Sequence, residues 1–120
     1  MSKRILVSDD ALIIREIIKD RAREAGFEIV GEATNGKEAF EKFMELRPDV
    51  ATMDLVMPEY DGLYGLREIM KACPDAKVVV VSALDQIDVL KEAFKLGAAD
   101  FVVKPFDHTV LMQTLLQIVA

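Results

Sequence analysis

Four short apolar runs in this chain each end in residues that could handle phosphate or a metal ion. The residues after these runs are Ser8, Asp9 and Asp10, then Asp54, then Ser82, and finally Lys104. If the runs are parallel strands, their carboxyl ends meet at one edge of a sheet, where α/β proteins bind ligands. The sequence therefore predicts one pocket that holds three carboxylates, a hydroxyl and an ammonium group.

Three carboxylates in one pocket repel each other, and a hard divalent cation with oxygen ligands relieves that repulsion. Magnesium suits such a site and commonly acts together with phosphate oxygens. Asp54 could itself attack a phosphoryl group, because carboxylates can form aspartyl-phosphates. Lys104 and the hydroxyl of Ser82 could neutralise the charge of that group. The pocket is therefore predicted to carry out magnesium-assisted phosphoryl chemistry.

The elements that must position these residues alternate between short β-branched runs and longer amphipathic stretches, as in repeated βα units. Strands are predicted near 4–8, 27–32, 49–53, 77–82 and 100–103, and helices near 11–25, 36–46, 62–72, 86–96 and 108–119. Asn35, Asp85 and Asp107 are predicted helix N-caps, and Gly26 and Gly97 are predicted to end helices.

The run Val78–Val81 is apolar throughout, which is typical of a strand covered on both faces. Right-handed crossovers then place helices on both sides of a parallel sheet. We expect an α/β, doubly wound (βα)5 flavodoxin-like sandwich with strand order 2-1-3-4-5, an order adopted from known doubly wound proteins. Asp9, Asp10 and Asp54 would then lie at the switch point between the first and third strands.

Length and charge restrict the class of protein. The 120 residues suit one domain over 1–120, and the net charge of −6 disfavours direct nucleic-acid binding. The single cysteine, Cys73, allows no intrachain disulfide, which fits a reducing compartment. Neither a signal peptide nor a membrane-spanning run is evident, so we expect a cytoplasmic protein with no membrane insertion.

The same residues form a recognisable series. It comprises Asp9-Asp10, Asp54, Met57-Pro58, Gly62, Ser82 and Lys104-Pro105, in this order and at matching intervals. With this series the chain resembles the receiver domain of two-component response regulators along its full length. Among these it looks most like the single-domain, chemotaxis-type (CheY-like) members.

The resemblance implies a role for each site residue. Asp54 would be the phosphoacceptor, and Asp10, Asp54 and the backbone carbonyl of Val56 would bind magnesium directly. Asp9 would act largely through a metal-bound water, and Lys104 would pair with phosphoryl oxygens. Ser82 and Phe101 would be the switch residues: Ser82 moves toward the phosphate and Phe101 turns inward behind it. The peptide between Lys104 and Pro105 would be cis.

The resemblance also implies partners. A histidine kinase would supply the phosphoryl group, and an output protein or domain would bind the face of the fourth helix, fifth strand and fifth helix. The chain would be a signalling switch and not an enzyme, apart from weak self-phosphorylation from small phosphodonors and self-dephosphorylation. We expect a monomer or weak dimer, and the likeness to chemotaxis-type members implies a role in chemotaxis.

The chain differs from many relatives at three positions. Phe101 stands where many have tyrosine, so any output contact through that hydroxyl is absent. Val56 and Leu84 flank the path of the water that hydrolyses the phosphoaspartate in the family. Both side chains are apolar and cannot orient that water, which predicts slow self-dephosphorylation.

Three other interpretations remain open from the sequence. A haloacid-dehalogenase-like phosphatase also combines an aspartyl nucleophile with magnesium, a hydroxyl and a lysine, but it has a second aspartate where this chain has Val56. A flavodoxin-like cofactor binder would need hydroxyls in its first loop, where Asp9 and Asp10 would instead repel phosphate. The chain could also be the receiver fragment of a DNA-binding transcriptional regulator. For Asp9-Asp10 alone, a simple helix N-cap is the plain alternative.

Overall fold

A computed structural model describes residues 2–120, in which five strands alternate with five helices. The strands are β1 (Arg4–Ser8), β2 (Glu28–Ala33), β3 (Val50–Met53), β4 (Val78–Ser82) and β5 (Asp100–Val103). The helices are α1 (Leu12–Glu24), α2 (Gly36–Leu46), α3 (Gly62–Ala72), α4 (Ile87–Leu96) and α5 (His108–Val119). Over the described residues, none of these helices is long and apolar enough to cross a membrane.

The five strands form one parallel sheet in the order β2-β1-β3-β4-β5, which confirms the predicted fold. β1 and β3 are neighbours although β2 lies between them in sequence, so the chain reverses its direction of winding at this point. Ser8 pairs with Met53 at the carboxyl ends of these two strands. The residues that follow both strands therefore emerge side by side.

The two faces of the sheet carry separate hydrophobic clusters. Side chains alternate along a strand, so Val78 and Val80 of β4 face one cluster while Val79 and Val81 face the other. The first cluster includes residues of α2, α3 and α4, and the second includes residues of α1 and α5. All five residues of β4 are buried, which agrees with the prediction that the apolar run Val78–Val81 is covered on both faces.

Helix ends largely follow the predicted capping residues. The side chains of Asn35 and Asp107 accept hydrogen bonds from the first turns of α2 and α5, as predicted. Gly26 and Gly97 adopt positive φ angles of 94° and 113° after α1 and α4. The prediction that Asp85 caps α4 is wrong. That helix begins one residue later than predicted, so Gln86 occupies the N-cap position and makes no side-chain cap bond.

Candidate metal and phosphoryl site

Backbone hydrogen bonds hold the loops after β1 and β3 against each other. The amide of Asp54 donates to the carbonyl of Ser8 over 3.0 Å, and the amide of Asp9 donates to the carbonyl of Ala33 over 3.0 Å. These bonds continue the sheet pairing by one residue beyond the strand ends. As a result, the two aspartates enter the site from adjacent, rigid positions.

The carboxylates of Asp9, Asp10 and Asp54 form one cluster. Each contributes an oxygen atom, and these three oxygens lie within 4.8 Å of one another. Asp9 and Asp54 are only 1% and 6% exposed, whereas Asp10 is exposed. An all-oxygen donor set with one solvent-facing side is what a hard, partly hydrated cation such as magnesium requires. These residues therefore fit a magnesium ion.

Lys104 connects this cluster to the far edge of the sheet. Its Nζ atom donates to Oδ2 of Asp9 over 2.6 Å and to Oδ2 of Asp54 over 3.1 Å. Its backbone amide donates to the carbonyl of Ser82 over 2.9 Å, and the following peptide to Pro105 is cis, as the resemblance implies. The resemblance implies that Lys104 pairs with phosphoryl oxygens, and the structure shows its Nζ atom bonded to the carboxylates of Asp9 and Asp54.

The electrostatics of this group follow from two carboxylates that share one ammonium. Burial raises the pKa of Asp9, and the hydrogen bond from Lys104 only partly offsets that effect. Burial alone would lower the pKa of Lys104, but contacts with Asp9 and Asp54 outweigh it, so the net pKa is raised. The ammonium is therefore fully charged at neutral pH, and this single positive charge is shared between two carboxylates.

Ser82 and Phe101 occupy neighbouring strands near the site. Ser82 is fully buried, and its Oγ accepts a long hydrogen bond of 3.4 Å from the amide of Leu84. Phe101 pairs in register with Val80 and packs, half-buried, against the cluster of α2, α3 and α4. Among residues 2–120, the hydroxyl of Ser82 has this one weak partner, and the ring of Phe101 is only partly enclosed, so both are free to change their contacts.

The loop after β3 folds back on the site through a glycine. The amide of Gly62 donates to the carbonyl of Leu55 over 3.0 Å. A Cβ atom at Gly62 would lie 2.0 Å from the backbone oxygen of Asp54, closer than any real contact. The amide of Val56 donates to Oδ1 of Asp54 over 3.2 Å, and the Val56 side chain is 55% exposed beside it.

One residue at the site, Arg15, was not predicted from the sequence. Arg15 of α1 donates through Nη1 to the backbone carbonyl of Asp9 over 2.8 Å and through Nε to Glu32 over 3.0 Å. An arginine in the first turn of a helix has no distinctive pattern, and its target is a backbone atom. Only the pairing of Arg15 with an acidic residue on β2 could have suggested this contact.

Comparison with known proteins gives a uniform result. A profile of the response regulator receiver domain matches residues 5–116. The chemotaxis protein CheY of Thermotoga maritima is 50% identical over 115 residues, which cover 96% of both chains. CheY of Bacillus subtilis is 43% identical over 115 residues, again covering 96% of both chains.

A solved structure gives the same picture of the fold. The CheX–CheY–BeF3–Mg2+ complex of Borrelia burgdorferi contains a chain that superposes with a TM-score of 0.94 at 29% identity. The match covers 98% of the present chain and 90% of that chain. Sequence and structure are thus similar to the same group of proteins over nearly the full length.

Proposed function

The chain belongs to the response regulator receiver family, and we propose that Asp54 accepts a phosphoryl group from a histidine kinase with the help of magnesium. Its CheY relatives support chemotaxis-type signalling, in which such a domain is a signalling switch rather than a turnover enzyme. The observation that carries the proposal is the position of Asp54, a buried carboxylate in a cluster with two others and bonded to Lys104. We treat residues 1–120 as a single receiver domain.

Residues around Asp54 would bind the magnesium ion that assists phosphoryl transfer. Asp10, Asp54 and the backbone carbonyl of Val56 would hold the magnesium ion, and Asp9 would hold it through water. A bound magnesium ion would supply positive charge to the phosphoryl oxygens. The three carboxylates together carry more negative charge than Lys104 alone neutralises, so a divalent cation would relieve their repulsion.

The transfer step forms one bond and breaks another. A carboxylate oxygen of Asp54 attacks phosphorus while the phosphorus–nitrogen bond of the donor phosphohistidine breaks, and the bonding pair returns to the imidazole ring. Lys104 then exchanges a carboxylate partner for a phosphoryl oxygen, and the hydroxyl of Ser82 donates to another. Self-phosphorylation from acetyl phosphate follows the same course with acetate as the leaving group.

The new charge would be transmitted to the face formed by α4, β5 and α5. If Ser82 moves toward the phosphoryl group, space opens behind it for Phe101, which is only half-buried. Exposed apolar side chains lie on all three elements, among them Ile87, Phe94, Val103 and Val110 at 63, 48, 40 and 51% exposure. Exposed apolar residues of this kind support an interaction with an output protein. Phosphorylation would thus bias two existing conformations.

A phosphatase of the haloacid-dehalogenase type is the second candidate, and one observation disfavours it. The position of its second catalytic aspartate holds Val56, whose side chain is apolar and which is 55% exposed. No proton donor for a leaving alcohol is therefore available there. The site suits the retention of a phosphoryl group better than its repeated transfer to water.

Intact-mass measurement after incubation with acetyl phosphate and magnesium tests the proposal. We expect one added phosphoryl group, and none in Asp54→Asn or when magnesium is chelated. Asp85→Asn removes an exposed aspartate outside the site and should be phosphorylated like the parent protein. Addition at another residue, or rapid hydrolysis of unrelated phosphate esters, would contradict the receiver mechanism.

A further inference from the structure

Arg15 joins the metal-binding loop to the edge of the sheet. Its guanidinium donates to the carbonyl oxygen of Asp9 over 2.8 Å and to Oε1 of Glu32 over 3.0 Å. The Arg15 side chain is only 13% exposed, whereas the side chain of Glu32 is 35% exposed. Since a guanidinium is planar and rigid, holding it at Glu32 also fixes the direction of its bond to Asp9.

Asp9 is restrained at every polar group. Its amide donates to Ala33, its carbonyl accepts from Arg15, and its carboxylate accepts from the amide of Ala11 and from Lys104. Asp10 differs in this respect. Its carboxylate is exposed and accepts no hydrogen bond from the residues that the structure describes. The position of Asp10 therefore depends on the backbone that leads into it.

The planar peptide unit between Asp9 and Asp10 links the position of Asp10 to the hydrogen bond made by the carbonyl of Asp9. The carbonyl of Asp9 and the amide of Asp10 belong to one planar unit. A hydrogen bond that fixes the direction of this carbonyl also fixes where the Cα atom of Asp10 lies. We infer that Arg15, anchored by Glu32, is a positioning residue that holds Asp10 in place for the divalent cation. This inference rests on the magnesium site of the proposed function.

Glu32 provides a charged anchor for this contact. A hydrogen bond from Lys19 lowers the pKa of Glu32, and the bond from Arg15 adds to this effect, so that burial does not neutralise the carboxylate. The ammonium of Lys19 lies 2.9 Å from Oε2 of Glu32. No hydrogen bond joins Lys19 to Asp9 in residues 2–120. Lys19 thus shares the anchor of Arg15 but not its target.

This difference provides a matched pair of variants, Arg15→Met and Lys19→Met, in the full chain. Both remove one cation from Glu32, and only the first frees the carbonyl of Asp9. We expect the magnesium dissociation constant from titration calorimetry to rise about tenfold in Arg15→Met, as is common for residues that support metal ligands. In Lys19→Met it should stay within about twofold of the parent protein.

A second measurement uses the metal-free protein. The NMR chemical shift of the Asp9 carbonyl carbon should change in Arg15→Met and remain unchanged in Lys19→Met, because only the first loses the hydrogen bond. Arg15→Lys takes the place of Arg15→Met if the methionine variant does not fold. It retains a positive charge for Glu32 but replaces two separate nitrogen donors with one, so weaker magnesium binding is again expected.

The outcomes separate this inference from the proposal on which it rests. If the parent protein binds no magnesium, the proposed function fails. If the parent protein binds magnesium and every folded Arg15 variant binds it equally well, only the role of Arg15 is overturned. Equal weakening in Lys19→Met would also overturn it, because the effect would then come from the ion pairs of Glu32 and not from Asp9.

Discussion

The Nζ atom of Lys104 lies 3.1 Å from Oδ2 of Asp54, the carboxylate that would accept the phosphoryl group. The same ammonium lies 2.6 Å from Asp9, so it uses carboxylate oxygens of the cluster that would also hold a metal ion. If magnesium binds as proposed, Lys104 and the metal ion would therefore compete for negative charge in the unphosphorylated protein. After phosphoryl transfer, the additional oxygens would provide negative charge for both cations.

Removal of the ammonium should therefore strengthen metal binding. In Lys104→Met, we expect magnesium to bind about three- to tenfold more tightly, since a nearby positive charge at an effective dielectric of 20 costs on the order of a few kcal/mol before screening. Titration calorimetry measures the change. Lys71→Met, which removes a 71% exposed lysine, is the control. Weaker binding in Lys104→Met would mean that the lysine organises the carboxylates more than it competes for them.

The buried charge of Asp9 should make the metal-free protein less stable at neutral pH. Because burial raises the pKa of Asp9, its contribution to folding is greatest below the unfolded value of about 4 and is lost as the pH rises through the folded pKa. We therefore expect Asp9→Asn to be more stable than the parent protein at pH 7, with a smaller difference near pH 4. Urea unfolding in the presence of a chelator measures the free energy of unfolding of both proteins at the two pH values.

Asp20→Asn is a suitable control for this comparison, because Asp20 is 68% exposed. The difference in unfolding free energy between Asp20→Asn and the parent protein should not change between pH 4 and pH 7 as the difference for Asp9→Asn does. An Asp9→Asn variant that is less stable at pH 7 would show that the ion pair with Lys104 outweighs the cost of burying Asp9. In either case, Asp9→Asn should weaken magnesium binding, since it removes one carboxylate from the cluster.

The lifetime of the phosphorylated form should depend on the two apolar residues beside the site. Val56 is exposed next to Asp54, and Leu84 is half-buried beyond Ser82. Because both side chains are apolar, neither can orient an attacking water molecule. We expect Val56→Asn combined with Leu84→Glu to lose phosphate roughly tenfold faster than the parent protein, which is less than the roughly 10²- to 10⁴-fold effect of a fully positioned general base. Phosphate release after removal of excess phosphodonor measures this rate.

A variant that keeps both side chains apolar controls for changes in packing. Val56→Ile with Leu84→Met should dephosphorylate at the parent rate. If the polar double variant also does so, water access in this protein is limited by another part of the site.

Gly62 should tolerate no side chain because of its contact with Asp54. In Gly62→Ala, the new Cβ atom would force the β3–α3 loop away from the Asp54 carbonyl, at a cost of about 2–3 kcal/mol for overpacking. Phosphorylation by acetyl phosphate should slow as Asp54 and Val56 shift. Denaturation and a phosphorylation time course measure the two effects.

Gly26→Ala is a control variant that introduces backbone strain without a steric clash. Gly26 has a φ angle of 94°, but a Cβ atom there would meet nothing within 4 Å. This variant should lose about 1–2 kcal/mol of stability from the backbone alone and phosphorylate normally. A Gly62→Ala protein that resembles Gly26→Ala in both measurements would show that the loop can move without affecting Asp54.

The sequence predicted the elements closely because each has a local signal. The strand β4 consists of valines up to Ser82, and the caps Asn35 and Asp107 act within a single turn of their helices. The prediction that Asp85 is a helix cap was wrong, and it also relied on a local signal. An aspartate before an amphipathic stretch has the composition of a cap, but the loop after β4 continues one residue further. The strand order came from the known doubly wound class, since no local signal specifies it.

The members of the site could be identified from residue types at strand ends, but their contacts could not. Nothing in the sequence shows that Lys104 would bond to both Asp9 and Asp54 or that Asp9 would be buried while Asp10 is exposed. These facts depend on distances between loops far apart in the chain. The contact of Arg15 is harder still to predict, because it is made to a backbone carbonyl.

The bond between Lys104 and Asp9 joins residues 95 positions apart. Contacts of such long sequence separation form late, because the loop they close must first lose its conformational freedom. During synthesis, Asp9, Asp10 and Asp54 leave the ribosome well before β5 and Lys104. A nascent or truncated chain therefore has the carboxylates but not the ammonium that completes the site. In a chain that folds as it is made, the charged groups of the site are therefore complete only when β5 has joined the sheet.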